Sequence, residues 1–114
     1  MNPGELYYAD LYEAGIRPVL VVSRESLNRG GYAVVVPLTT AHFERRSRLP
    51  NCVPFEAGQF GLAKDCVAQC EAMLSIERSQ IIAKDGLIGR IDDAILRGVI
   101  RAIGYVIESD CEPL

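Results

Sequence analysis

The chain has 114 residues, 49% of them apolar and 24% charged, and a net charge of −3 at pH 7. That length fits one domain with one core, and the balance excludes a disordered, collagen-like or coiled-coil chain. A pI near 5.1 also sets it apart from dedicated nucleic-acid-binding domains, whose pI often exceeds roughly 9.

The charge is unevenly spread. Residues 17–48 hold Arg17, Arg24, Arg29, Arg45, Arg46 and Arg48 against Glu25 and Glu44, a local surplus of +4, and the remainder sums to −7. Such a region either attracts polyanions or is a solvated, arginine-rich surface. The longest apolar runs, residues 18–22 and 33–38, fall short of the roughly 20 residues that cross a bilayer. Residues 1–5 lack the basic-then-apolar pattern of a secretion leader. The expectation is a cytoplasmic chain with no membrane association. In a reducing compartment Cys52, Cys66, Cys70 and Cys111 read as free thiols. Cys66 and Cys70 are spaced C-x3-C, but His42 is the lone histidine and lies elsewhere, so no metal or cofactor is expected.

In chain order, residues 5–11 read as a strand and Ala14-Gly15 as a turn. Residues 17–23 form a β-branched run that reads as a buried strand. Asn28-Arg29-Gly30-Gly31 reads as a loop, and residues 32–39 as a strand whose Pro37 marks an end or bulge. The polar residues 40–48 read as a mobile loop, residues 49–55 as a strand and residues 65–76 as one long strand. Residues 78–83 read as a helical turn and residues 87–91 as a short strand. From Ile91 the period changes: Ile95, Leu96, Val99, Ile100, Ile103, Val106 and Ile107 recur at three- and four-residue steps, one face of a helix. Asp92 and Asp93 sit where carboxylates cap a helix start, and Gly98 and Gly104 would let another backbone come close. Short strands with Gly/Pro turns and one closing helix predict a mainly β small barrel, a single domain over residues 1–114.

These pieces resemble the MazF/PemK/Kid family of toxin–antitoxin ribonucleases. The resemblance rests on G-E-L-Y-Y-A-D-L at residues 4–11, R-P-V-L-V-V-S at 17–23 with Asn28 five residues on, and V-P-L-T-T at 36–40. G-L-A-K-D-C-V at 61–67 and I-G-R-I at 88–91 complete it. It implies an SH3-like barrel of the CcdB/PemK type and a homodimer. It also implies metal-independent cleavage of single-stranded RNA to 2′,3′-cyclic phosphate and 5′-hydroxyl ends, and a cognate antitoxin partner. Three departures stand out. Gln69 replaces an arginine found in some relatives, Ala72 replaces a glutamine, and the first loop is short, passing from Asp10 to Arg17 through six residues. The same barrel serves gyrase-binding toxins of the CcdB type, so a non-catalytic toxin and a barrel that only binds a partner remain alternatives.

RNA brings its own nucleophile, the 2′-hydroxyl. A protein that cuts it without metal needs a base, an acid and a cation for the charge growing on phosphorus. Arginine suits the cation role, because its planar fork spans two phosphate oxygens. Arg17 is the first candidate and Thr39, a hydroxyl donor to phosphate, the second. The resemblance adds Glu71 as a catalytic acid or base. Ser23, Asn28, Thr40, His42, Arg45, Arg46 and Gln69 are candidates for RNA contact. His42 is also a candidate base, and Glu13 a substitute acid. Tyr7, Tyr8, Tyr12, Phe43 and Phe60 are candidate stacking rings, of which Tyr7 and Tyr8 must face opposite ways.

Overall fold

The β-branched run near the N-terminus forms β2 (Ile16–Val21), and its side chains go alternately to two cores. Leu20 joins Leu6, Val36, Leu38, Phe55 and Val99 in the larger one. Val19 and Val21 join Ala9, Ala33, Val35 and Ile76 in the smaller. Burial on both faces is why the run is continuously apolar rather than alternating. The computed structural model describes residues 1–108; Cys111 lies outside them.

The other strands are β1 (Glu5–Asp10), β3 (Tyr32–Thr39), β4 (Cys52–Phe55), β5 (Cys66–Gln69), β6 (Leu74–Glu77) and β7 (Leu87–Arg90). They form one sheet in the order β4-β5-β3-β2-β1-β7, with β6 also on β3. Every pairing is antiparallel. β3 holds β6 along Tyr32–Val35 and β5 at Leu38 and Thr39. The helix α3 (Asp93–Val106) covers the larger core with Val99 and Ala102. This is the expected small, mainly β barrel closed by a C-terminal helix.

Several expectations are corrected. Residues 65–76 are two strands, β5 and β6, parted by a 3-10 turn at Cys70–Ala72. Cys70 turns fully into the core beneath α3, its Sγ lying 3.9 Å from the Val99 carbonyl oxygen, and its N–H donates to the Asn51 carbonyl. The chain therefore leaves the ladder there and rejoins β3 farther along. Residues 40–48 are not a loop throughout: Phe43–Arg46 form a helical turn, α2. Residues 24–28 likewise carry a short helix, Glu25–Asn28, here α1. Asp92 holds the N-cap position of α3 without a side-chain capping bond; its backbone carbonyl accepts from Leu96.

Nor is Gly98 a close approach, since a Cβ there would meet only the Arg101 Nη2 at 3.9 Å. The tight crossing is elsewhere. A Cβ on Gly89 would run into the Phe60 carbonyl, and one on Gly61 into the Ile88 carbonyl. The 3-10 turn Gln59–Gly61 is thus pressed backbone to backbone on β7. Phe60, at φ 51°, stacks edge-on against Phe55 with centroids 6.1 Å apart.

One buried charge ties the sheet edge. Glu5, 7% exposed in its side chain, meets the Arg90 guanidinium at 2.6 Å across the β1–β7 pair. It also accepts from the Asn2 N–H and the Tyr7 hydroxyl. Burial alone would raise the Glu5 carboxyl, but these three donors outweigh it and hold it below its ordinary value of 4.5. Tyr7 is pushed up to about 12, first by burial and then by donating to that carboxylate. Tyr7 packs on the smaller core and its neighbour Tyr8 faces a pocket, the opposed orientations a strand requires.

Candidate active site

A pocket of about 430 Å³ opens beside the first residues of β2 and the last of β3, and Arg17, Thr39 and Thr40 line it. Tyr8, Lys64 and Cys66 complete its polar and titratable lining, and among the described residues no carboxylate takes part. Arg17 sits on β2 opposite Ala9. Its Nε donates to the Ala14 carbonyl at 2.9 Å, so the six-residue loop, folded as a 3-10 turn at Tyr12–Ala14, aims the guanidinium. Among the described residues no carboxylate pairs with Arg17, which leaves its terminal fork for an anion.

Thr39, 8% exposed, accepts the Ala41 N–H on Oγ1 at 3.2 Å. Among the described residues that hydroxyl donates to no acceptor, which leaves its proton for a ligand. The Cys66 thiol is pushed up to about 11, mainly by burial, and so stays neutral at pH 7. Cys70 is likewise pushed up, to about 12, with burial the main cause. Among the described residues no three His, Cys, Asp or Glu side chains converge as metal ligands.

The other expected residues fall into three groups. Gln69 and Glu71 come together: Glu71 Oε1 accepts from Asn51 Nδ2 at 2.8 Å and Oε2 from Gln69 Nε2 at 3.2 Å. Glu71 lines a different pocket of about 400 Å³, with Asn51 and Tyr105. Cys66, in the first pocket, and Gln69 are at opposite ends of β5, about 10 Å apart at a strand's rise per residue. The structure therefore does not bring Glu71 to Arg17. The reason is the turn at Cys70, which carries Glu71 off the ladder.

His42 is the N-cap of α2, and Arg45 and Arg46 lie within it, just after the pocket-lining Thr40 and Ala41. His42 and Arg45 are exposed, and Arg46 is half-buried near Cys52, whose thiol it pulls down against the larger effect of burial. Ser23 and Asn28 form the third group, and their polar side-chain atoms already have partners within the fold. Asn28 is 1% exposed, and its Nδ2 donates to the carbonyls of Met1 (2.8 Å) and Ser23 (3.0 Å). Ser23 Oγ donates to Asn28 Oδ1 and accepts the Val34 N–H. Their polar atoms are spent inside the fold. Glu13 is exposed and outside the Arg17 pocket. Tyr12, 71% exposed, and the half-buried Phe43 and Phe60 also lie outside it. Lys64, within residues 61–67, is a pocket-lining cation that the sequence alone does not single out. Its placement follows from the Gly61 crossing, which periodicity does not reveal.

The family model for the PemK-like, MazF-like toxin of type II toxin–antitoxin systems matches residues 2–107. The chain belongs to this family. Among curated relatives of this MazF-like toxin is the Endoribonuclease EndoA of Bacillus subtilis, 28% identical over 103 residues, covering 81% of this chain and 88% of the relative. The Endoribonuclease MazF of Staphylococcus saprophyticus is 27% identical over 90 residues, 74% of each chain. A mycobacterial endoribonuclease, solved with its cognate antitoxin, has the same fold at TM-score 0.78 and 21% identity, covering 99% of both chains. No helix among the described residues of this toxin is long and apolar enough to cross a membrane.

Proposed function

We propose that this toxin is an endoribonuclease that cuts single-stranded RNA at the Arg17 pocket, acts as a homodimer in the cytoplasm and is restrained by a cognate antitoxin. The observation that carries the reading is the Arg17 fork beside the Thr39 hydroxyl, in a pocket where, among the described residues, no carboxylate pairs with Arg17 or lines the wall. A phosphodiester seated there would meet fixed positive charge and a hydroxyl donor, with nothing of its own sign opposing it. The relatives named as endoribonucleases and the solved antitoxin complex support the same activity and partner.

In the reaction the 2′-oxygen bonds to phosphorus and gives up its proton. The bond from phosphorus to the 5′-oxygen breaks, and that oxygen takes a proton. The products are a 2′,3′-cyclic phosphate and a 5′-hydroxyl. Arg17 binds the non-bridging oxygens more strongly as charge builds on them, which is what lowers the barrier. Thr39, and Thr40 on the rim, donate to the same phosphate or its neighbour. Beyond the pocket, His42, Arg45 and Arg46 on and beside α2 attract the RNA strand, and Gln69 at the end of β5 offers it a further polar contact.

Purified protein incubated with a long transcript in EDTA, followed by analysis of the cut ends, tests the reading. Cuts at defined sequences bearing 5′-hydroxyl ends are expected. An intact transcript at high enzyme concentration overturns it.

A further inference from the structure

Lys64 enters the Arg17 pocket on a backbone held from both sides. The Gly58 N–H donates to the Leu62 carbonyl at 2.8 Å, and the Leu62 N–H to Gln59 at 2.9 Å. Leu62 and Cys66 anchor the segment in the larger core, and the Gly61 and Gly89 crossing fixes it against β7. The nearest carboxylate in sequence, Asp65, is taken up by the Ala57 N–H at 2.8 Å. Lys64 itself is exposed, and among the described residues it makes no ion pair. Exposed lysines are common. A lysine whose backbone is clamped, whose neighbouring acid is occupied and whose pocket has no carboxylate among its described lining residues is placed to take its counter-ion from a ligand.

We propose that Lys64 is the second cation of the RNA site and neutralises a phosphate next to the one held by Arg17. This rests on the RNA-cleaving reading above. Lysine suits the task, because a compact charge on a flexible stem attracts a phosphate without demanding a fixed fork geometry. Two cations in one pocket would then set the strand's register, with Arg17 on the reacting phosphate and Lys64 on its neighbour.

The test uses the full-length protein and an oligonucleotide carrying the sequence that the wild type cuts, with 2′-deoxyribose at the cut position so that it binds without reacting. Binding is measured by anisotropy from about 50 to 300 mM KCl for wild type, Lys64→Ala, Lys64→Arg and the control Lys84→Ala. Each phosphate neutralised on a single strand adds a slope of about −0.7 to log K against log salt. Lys64→Ala should flatten the slope by about that amount and weaken binding about fivefold at 0.1 M salt. Lys64→Arg should restore both, and Lys84→Ala should match wild type.

An unchanged slope in Lys64→Ala, or an equal loss in Lys84→Ala, overturns the proposal while wild-type cleavage leaves the wider reading standing. A wild type that neither cuts nor binds RNA overturns both.

Discussion

The two ends of β2 carry the same motif and have opposite fates. At the start, Arg17 spends one nitrogen on the Ala14 carbonyl and presents the rest to an open pocket. At the far end, Ser23 and Asn28 spend their side-chain donors and acceptors on each other and on the Met1, Ser23 and Val34 backbone. Polar residues of one motif thus divide into those whose hydrogen-bonding capacity the fold has used and those whose capacity it leaves for a ligand. The first kind holds the barrel in shape, and the second performs chemistry on what enters.

Four variants break or sharpen that division. Arg17→Ala should lower the single-turnover cleavage rate about 10³-fold, as expected when a preorganised donor to developing charge is lost. Its melting temperature should stay near wild type, since it gives up one exposed hydrogen bond. Thr39→Val, which keeps shape and removes the hydroxyl, should cost about 10²-fold in the same assay. Asn28→Ala should act on stability instead. Removing buried hydrogen bonds and stranding their partners costs about 2 kcal/mol, read as a fall of roughly 8 °C in melting temperature.

The smallest effect concerns Glu5, whose carboxyl is held below 4.5 in the folded state. Its stabilising contribution is complete above the unfolded value and is lost as pH falls through the lower, folded one. Melting of the wild type between about pH 5 and pH 3 should therefore fall more steeply than that of Glu5→Gln, which lacks this titration.

Much of the fold was legible because its signals are local. The apolar run of β2 and the three- and four-residue steps of α3 each report burial directly. The break at Cys70 was not legible. Residues 65–76 are apolar enough for one strand, and only β3, which pairs with β6 and β5 at different points, forces the chain to turn. That turn is also why Glu71, adjacent to the core in sequence, parts company with Arg17. The burial of Asn28 was not legible for a related reason: a polar residue after a motif looks exposed until its partners are known. Lys64 was hidden because its position depends on Gly61 and Gly89 crossing, two residues far apart in the chain.

One paired measurement tests the division most directly: single-turnover cleavage and thermal melting of Arg17→Ala and Asn28→Ala, with rates taken well below both melting points. The account predicts a crossed result. Arg17→Ala loses its rate and keeps its melting temperature, whereas Asn28→Ala keeps its rate and melts lower. Cleavage by Arg17→Ala at the wild-type rate, or an Asn28→Ala protein as stable as wild type yet unable to cut, would contradict it.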